Sequence, residues 1–204
     1  MSVPADLLPP PGVKALIFDC DGTLADTFAA HYRALSVALE VYNINLEPQF
    51  YADRLGLSRS VFLDEFADQS PLPFDADDIA SRNAPLFMDH IDRVAAIPVT
   101  EALVREYHGR LRLGVASGGQ KSIVKATLKA IGLIDYFETV TTFEDTGIGK
   151  PAPDLYLTAC ARLGVAPQEA HAYEDTDEGM EAAHAAGLTV SDIRPFYTTN
   201  PALW

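Results

Sequence analysis

Cysteine is scarce in this 204-residue sequence, which contains only Cys20 and Cys160. The two lie far apart and have neither the pattern of a disulfide framework nor that of a zinc site, so both are expected to be reduced thiols. Cys20 lies between Asp19 and Asp21. Because acidic neighbours raise the pKa of a thiol, we expect Cys20 to be a buried apolar residue rather than a nucleophile.

Positive charge is scarce as well. The 15 Lys and Arg residues face 29 Asp and Glu residues, the formal net charge is -14, and no basic stripe occurs along the chain. This balance argues against nucleic acid as a partner. The same negative field repels an anionic substrate, so a phosphate site would need its own positive charge, from a metal ion or a few placed cations.

Long apolar runs are absent. No uninterrupted apolar stretch approaches the ~18 residues that a membrane span needs, so we expect no membrane partner. The first dozen residues contain an acid and no Lys or Arg, unlike the basic start of a signal peptide, and we expect a cytoplasmic location. A hydrophobic content of 48% suffices for one core with a small satellite domain, and it leaves the oligomeric state open.

Short apolar runs alternate with helical patterns in much of the chain. The first run, VKALIF, ends abruptly at Asp19, and similar runs occur at 111–116, 137–141, 170–173 and, more weakly, 188–190. Between them, the spacing predicts helices over 120–131, 154–163 and 178–186, and glycine stops the last two. This alternation predicts an α/β fold with a doubly wound, Rossmann-like parallel sheet covered by helices on both faces.

Residues from about 28 to 94 break that alternation, because three successive segments in this range have only helical patterns. The simplest interpretation is an α-helical cap inserted after the first strand. We therefore predict a core domain of residues 1–27 and 95–204 and a cap domain of residues 28–94. In open α/β sheets, ligands bind beyond the carboxyl ends of the strands, so such an insertion would lie over the active site.

Four short motifs follow predicted strands in order along the chain. They are Asp19-Cys20-Asp21-Gly22-Thr23-Leu24, Ser117 after GVA, Lys150 within GKPAPDLY, and Glu174-Asp175 followed by Gly179 and AAHAAG. In this order they resemble the motifs of the haloacid-dehalogenase-like (HAD) superfamily, the first of which is hhhDxDGTL. A single DxD is weak evidence. Four motifs at the ends of successive predicted strands, over essentially the whole chain, are strong evidence.

The resemblance implies a phosphate-transfer chemistry that the residue types also favour. Attack by a carboxylate on a phosphate brings two anions together, and a hard divalent cation held by oxygen ligands neutralises them; Mg²⁺ fits such a partial protein cage. The resemblance implies that Asp19 is both nucleophile and metal ligand, and that the Asp21 backbone carbonyl, Glu174 and Asp175 complete the protein ligands. An acid pair is otherwise typical of a helix N-terminus.

The remaining motif residues have implied roles around the phosphate. Asp21 would protonate the leaving alkoxide and then take a proton from the water that hydrolyses the aspartyl phosphate. Ser117 and the adjacent backbone N–H of Gly118 would hold one phosphate oxygen, and Lys150 would supply charge. Alone, a Ser after a strand is usually a helix N-cap and a Lys before Pro is usually surface. The shared context favours the phosphate site.

The reaction can be narrowed within the superfamily. Dehalogenases lack the acid two residues after the nucleophile and use no metal, so Asp21 with Glu174-Asp175 argues against them. Phosphonatases form a Schiff base with a cap lysine, and residues 27–94 contain no lysine. A phosphoacceptor signalling module is a remote alternative, because receiver domains also combine paired acids, a hydroxyl and a lysine. They are shorter, and an inserted cap would obstruct their partner surface.

A mutase remains the main alternative to a phosphatase. Asp26-Thr27, His31 and the GLSR segment ending at Arg59 resemble cap features of β-phosphoglucomutase, in which the histidine supports proton transfer and the arginine holds the second phosphate. Their other interpretations are an amphipathic-helix histidine and a surface arginine. Leu55 stands where the mutase has a cap lysine.

The segments VREYHGRLRLGVASGG, KPAPDLYLTACARLGV and YEDTDEGMEAAHAAG resemble the fructose-1-phosphatase or 6-phosphogluconate phosphatase branch. A mutase must shield its aspartyl phosphate from water, and no feature of the sequence indicates such shielding. We therefore predict hydrolysis of a small phosphorylated metabolite, a sugar phosphate or sugar-acid phosphate. His31 and Arg59 are the predicted substrate-binding residues of the cap.

Overall fold

A computed structural model of the chain describes residues 3–199, apart from Gly56, Ser58 and the side chains of Arg59 and Ser60. The chain divides into two compact units. The first extends to Asp26 and resumes at Ala95–Thr198, and the second contains Thr27–Val94. Each unit is described by itself. Within the described residues, no helix is long and apolar enough to cross a membrane.

The strands, in chain order, are β1 (Ala15–Phe18), β2 (Ala25–Asp26), β3 (Ala95–Ala96), β4 (Arg112–Ala116), β5 (Thr139–Thr141), β6 (Ala170–Glu174) and β7 (Thr189–Asp192). The α-helices are α1 (Phe28–Glu40), α2 (Pro48–Ala52), α3 (Arg59–Gln69), α4 (Ala76–Asp89), α5 (Pro98–Tyr107), α6 (Lys121–Ala130), α7 (Phe143–Thr146), α8 (Asp154–Leu163) and α9 (Asp177–Ala186). Short 3-10 turns lie at Ala5–Leu7, Ile91–Arg93, Ile134–Tyr136, Pro167–Glu169 and Arg194–Phe196.

The first unit is built on a five-stranded sheet in the order β5-β4-β1-β6-β7. Every neighbouring pair is parallel, and Ala15 of the central β1 lies beside Arg112 of β4 and Ala170 of β6. The chain proceeds outward from β1 in one direction through β4 and β5, and then in the other through β6 and β7. This topology confirms the predicted α/β, doubly wound, Rossmann-like sheet with an inserted helical segment.

Alternating side chains of β1 supply two cores, one on each face of the sheet. Leu16 and Phe18 pack with buried residues of α5 and α6, including Leu103 and Val124. Ala15 and Ile17 pack with apolar residues of α8 and α9. Every side chain of β1 is buried, which explains its continuous apolar run, and each large one contributes ~1.5–3 kcal/mol of burial free energy.

Strands β2 and β3 form a two-residue antiparallel pair, with Asp26 beside Ala95. The sequence pattern is too short to predict this pair. Tyr197, near the C-terminal end of the described residues, donates a hydrogen bond of 2.6 Å from its hydroxyl to Asp26. The aromatic tail, whose role could not be interpreted from sequence, thereby contacts the strand that precedes α1.

The second unit consists of α1 to α4 around its own apolar core. Helix α1 packs against α4, and the core residues include Tyr32, Leu39, Phe62 and Ile79. Helix α4 begins after Asp75, whose carboxylate accepts hydrogen bonds from the backbone N–H groups of the first turn and so caps the helix. This unit therefore has the helical packing that its sequence pattern predicts.

Candidate active site

Three of the four motifs lie at the ends of adjacent strands of the sheet. Asp19 follows β1 directly, Ser117 follows β4, and Glu174 is the last residue of β6 with Asp175 next to it. Because β1 lies between β4 and β6, the carboxyl ends of these parallel strands meet at one edge. Lys150, between α7 and α8, reaches the same edge through its side chain.

Asp19, Lys150 and Glu174 form a buried charged cluster. The ammonium of Lys150 donates hydrogen bonds to Asp19 Oδ1 and to Glu174 Oε1. Burial by itself would lower the pKa of Lys150, but the charges of Asp19 and Glu174 outweigh it and hold that pKa well above its usual value. The lysine is therefore a fixed positive charge in contact with Asp19.

Asp175 completes a group of three acids with metal-binding potential. Asp19, Glu174 and Asp175 each offer one oxygen, and these atoms lie within 4.8 Å of one another. Burial raises the pKa of Asp19 well above its usual value against the opposing charge of Lys150, and burial with the charge of Glu174 raises the pKa of Asp175 to about 7. The cluster thus has more negative charge than Lys150 offsets. Its oxygen donors fit a hard divalent cation such as Mg²⁺.

Asp21 and Ser117 lie beside the loop that follows β4. The Ser117 Oγ accepts a hydrogen bond of 3.1 Å from the backbone N–H of Gly119, so the hydroxyl hydrogen can be donated to another acceptor. A methyl group on Gly119 would lie 3.4 Å from Asp21 Oδ2, and one on Gly118 would have nothing within 4 Å. The carboxylate of Asp21 therefore faces this loop, and there is open space on the side of Gly118 where a side chain would lie.

The start of helix α6 is partly occupied by an acid. The backbone N–H of Lys121 donates to both carboxylate oxygens of Glu144, at 2.9 and 3.1 Å. An anion at this edge would therefore contact the loop of Ser117, Gly118 and Gly119 rather than the first amide of the helix itself. The phosphate-binding roles of Ser117, Gly118 and Lys150 stay predictions.

Several supporting residues were not found by sequence reasoning. The Tyr156 hydroxyl donates to Glu174 Oε1 at 2.7 Å, and the Thr23 hydroxyl donates to Asp175 Oδ1 at 3.0 Å. Thr176 donates to Glu174 from its hydroxyl, and the same oxygen caps α9 by accepting from the N–H of Gly179. Thr23 and Thr176 adjoin the motifs, which is a usable signal. Tyr156 has no such signal, because the sequence pattern of α8 predicts only that this tyrosine is a core residue.

Asp145 holds the segment that leads to Lys150. Its carboxylate accepts hydrogen bonds from Lys121 at the start of α6, from Arg162 in α8 and from the backbone N–H of Thr142. The hydrogen bond from Arg162 is the largest of the influences that lower the pKa of Asp145. These contacts tie α7 to the two helices that flank it.

The two predicted cap residues lie in the second unit. The backbone N–H of His31 donates to Thr27, and the His31 ring lies 4.5 Å from the ring of Phe87, measured between centroids. The side chain of Arg59, with Gly56 and Ser58 before it, lies outside the described residues. The substrate-binding roles of His31 and Arg59 stay predictions.

Cys20, by contrast, is buried, and burial together with the charges of Asp21 and Asp19 raises its pKa, which confirms that it is not an activated thiol.

The parallel sheet and this cluster of acids, lysine and serine at its carboxyl edge define an α/β protein with a candidate site for a metal ion and a phosphate group. A family model described as haloacid dehalogenase-like hydrolase matches residues 16–193, and the chain belongs to this family. The resemblance based on the four motifs is thereby confirmed.

Relatives with assigned activities cover nearly the whole chain. Fructose-1-phosphate phosphatase YqaB of Escherichia coli (strain K12) is 31% identical over 184 residues, which are 88% of this chain and 95% of that protein. The β-phosphoglucomutase of Bacillus subtilis (strain 168) is 25% identical over 185 residues, or 86% of this chain and 81% of that protein. Among solved structures, CbbY from Rhodobacter sphaeroides in complex with phosphate has a TM-score of 0.74 and 27% identity, covering 88% of this chain and 86% of that one.

Proposed function

We propose that the protein is a Mg²⁺-dependent phosphatase of a small phosphorylated metabolite, a sugar phosphate or sugar-acid phosphate, and that it acts through an aspartyl phosphate on Asp19. The observation that carries the proposal is the contact of Asp19 with Lys150 beside the acids Glu174 and Asp175. A carboxylate can approach a phosphate only where other charges neutralise the pair, and this cluster provides them.

In the first step, Asp19 attacks the phosphorus atom and the bond from phosphorus to the leaving oxygen breaks. Asp21 gives its proton to that oxygen as it leaves, so a neutral alcohol departs. Lys150, Ser117 and the N–H of Gly118 hold the phosphoryl oxygens in place. In the second step, water attacks the phosphorus and gives a proton to the Asp21 carboxylate, and the bond between phosphorus and Asp19 breaks. Inorganic phosphate is released, Asp19 is again a carboxylate, and Asp21 is again protonated.

The metal would be held by the side chains of Asp19, Glu174 and Asp175 and by the backbone carbonyl of Asp21. When bound, Mg²⁺ supplies positive charge that offsets the repulsion between the carboxylate nucleophile and the phosphate. The raised pKa values of Asp19 and Asp175 support this assignment, because they indicate carboxylates that lack sufficient compensating charge in the protein alone.

We further propose that residues 28–94 act as a cap that selects the substrate, on a core of residues 1–27 and 95–204. In this proposal His31 and Arg59 contact the part of the substrate that is not transferred. A single side chain discriminates substrates by only ~1–3 kcal/mol, so several residues of the cap would share that task.

A β-phosphoglucomutase-like isomerase is the second candidate, favoured by His31 and by the relative from Bacillus subtilis. Hydrolysis is favoured by the higher identity to a fructose-1-phosphate phosphatase and by Leu55, which stands where the mutase has a lysine. The third candidate is a phosphoacceptor signalling module. Membership of a family of hydrolases argues against it.

The decisive experiment is a panel of phosphate esters assayed with Mg²⁺ for release of inorganic phosphate. The panel contains sugar phosphates, sugar-acid phosphates, nucleotides and glycolate phosphate, and β-glucose 1-phosphate is also followed for isomerisation. We expect rapid phosphate release from a sugar or sugar-acid phosphate. Isomerisation of β-glucose 1-phosphate that outpaces phosphate release from every ester would favour the mutase instead.

A further inference from the structure

The carboxylate of Glu174 is surrounded by donors from the protein. Its Oε1 accepts from the Lys150 ammonium and from the Tyr156 hydroxyl. Its Oε2 accepts from the backbone N–H of Asp175 at 3.1 Å and from the backbone and hydroxyl of Thr176 at 3.3 and 3.2 Å. The side chain has no exposure to solvent. Its orientation is therefore set by these partners and not by water.

Tyr156 and Lys150 meet on the same oxygen of Glu174. Tyr156 is fully buried in the first turn of α8, and its hydroxyl lies 2.7 Å from Glu174 Oε1. The Lys150 ammonium lies 5.4 Å from the centroid of the Tyr156 ring. The phenol thus contacts the acid that binds the lysine, while the ring lies beside the lysine itself.

The position of Lys150 depends on how strongly each of its two acids attracts it. In a buried cluster, electrostatic attraction is strong, and two donors on one carboxylate oxygen compete for its lone pairs. Without the phenol, Glu174 Oε1 would interact with Lys150 alone and would draw the ammonium away from Asp19. With the phenol, the ammonium is shared.

We propose that Tyr156 is a positioning residue for phosphoryl transfer: its hydroxyl holds Glu174 so that the Lys150 ammonium stays shared between Glu174 and Asp19. This inference rests on the proposed roles of Asp19 and Lys150. Tyr156 acts through Lys150 and does not contact the reacting atoms.

The test compares Tyr156→Phe with Tyr173→Phe. Tyr173 is also fully buried and donates one hydrogen bond, of 2.8 Å, but its acceptor is the backbone carbonyl of Leu7. Each substitution removes one buried hydroxyl and keeps the ring, so both should lower the melting temperature to a similar extent. Only Y156F should lower kcat/KM, by ~10-fold, and weaken binding of inorganic phosphate, measured by calorimetry with Mg²⁺, by a similar factor.

A double-mutant cycle tests whether Tyr156 acts through Lys150. In a Lys150→Ala background, adding Y156F should change neither the residual kcat/KM nor the phosphate affinity. A further ~10-fold loss in that background would show that the phenol acts by another route. Equal behaviour of Y156F and Y173F, or a Y156F protein that does not fold while Y173F does, would assign Tyr156 to packing alone.

Assays of the wild-type protein distinguish failure of the inference about Tyr156 from failure of the proposed function. If the wild type releases phosphate from no ester of the panel, the proposed function fails, and the calorimetric comparison of Y156F with Y173F still decides the role of Tyr156. If the wild type turns over and Y156F matches Y173F in both measurements, the proposed function stands and the inference about Tyr156 is rejected.

Discussion

Gly179 in helix α9 lies directly against the carboxylate of Glu174. A methyl group on Gly179 would lie 2.0 Å from Glu174 Oε1 and 2.3 Å from Oε2, far inside the contact distance. The glycine therefore lets α9 approach the end of β6 closely enough for Thr176 to donate to Glu174. A glycine in a helix normally lowers its stability, so the close packing accounts for its presence here.

We predict that Gly179→Ala destabilises the protein and impairs catalysis. Helix propensity alone would stabilise this variant by ~1 kcal/mol, whereas the clash with Glu174 should cost ~2 kcal/mol or more. The free energy of unfolding, measured with denaturant, and kcat should both fall, because displacement of Glu174 also displaces Lys150, which is hydrogen-bonded to it. Glu181→Ala, on the exposed face of the same helix, is the control and should change stability by less than ~0.5 kcal/mol. A more stable, fully active G179A enzyme would contradict the contact.

Asp19→Asn should abolish turnover without loss of the fold. The amide keeps the shape of the side chain and can accept a hydrogen bond from Lys150, but it cannot attack phosphorus. Lys150 also donates to Glu174, so the ammonium stays paired when the Asp19 charge is removed, and the fold should be retained. We expect phosphate release below about 5% of wild type with an unchanged circular dichroism spectrum. Activity well above that level would reject Asp19 as nucleophile.

The sequence was sufficient to predict the sheet, which follows from local patterns, and most of the cluster, which was predicted from the resemblance to the four family motifs. Continuous apolar runs mark buried parallel strands, and polar residues that end several such runs must meet at one sheet edge. The structure does bring Asp19, Lys150, Glu174 and Asp175 together. The alternation of short strands and helices also specified the doubly wound topology.

Most of the supporting contacts could not be predicted, because they join residues that are distant in sequence. Thr23 and Asp175 are 152 residues apart, and Tyr173 and Leu7 are 166 apart. Whether Tyr156 donates to an acid or to the backbone depends on the rotation of α8 against β6, which no local pattern encodes. The steric role of Gly179 likewise depends on the distance between α9 and β6.

Removal of Mg²⁺ should stop turnover reversibly. Burial raises the pKa of Asp19 against the opposing charge of Lys150, and burial with the charge of Glu174 raises the pKa of Asp175. We therefore expect that a cation is needed before a phosphate anion can approach. Treatment with a chelator should reduce phosphate release to background, and excess Mg²⁺ should restore it. The melting temperature should rise when Mg²⁺ is added, since binding to the folded state stabilises it. Full activity in the chelated enzyme would exclude the metal role of these acids.

Thr23→Val should weaken Mg²⁺ binding while keeping the fold. Thr23 is fully buried, and its hydroxyl orients Asp175 through a 3.0 Å hydrogen bond. Loss of a partner that orients a metal ligand typically reduces affinity ~10-fold or more, which a Mg²⁺ titration by calorimetry and by phosphate release would measure. The matched control is Thr127→Val, also buried, whose hydroxyl has no hydrogen-bond partner in the described part of the chain. Equal Mg²⁺ affinities in the two variants would contradict the role of Thr23.

Asp145 should contribute stability that depends on pH. Hydrogen bonds from Arg162 and Lys121 hold the pKa of this carboxyl below its usual value, although burial opposes them, and the side chain is only 8% exposed. A lowered folded-state pKa means that the contribution is complete above the unfolded-state pKa of about 3.9 and is lost as the pH falls through the folded-state pKa. Asp145→Asn should therefore cost ~2 kcal/mol near neutral pH.

The difference in unfolding free energy between wild type and Asp145→Asn should stay constant from about pH 7 to about pH 5 and narrow as the pH falls below about 4, because the unfolded wild type then takes up a proton that the folded carboxyl takes up only at lower pH. Urea unfolding at several pH values measures this difference. Asp135→Asn, an exposed substitution, should show almost no difference at any pH. If this difference in unfolding free energy does not change with pH, packing of the Asp145 side chain, and not its charge, stabilises the contact of α7 with α6 and α8. In that case the segment leading to Lys150 would be held by packing alone, and kcat of Asp145→Asn would match that of the wild type.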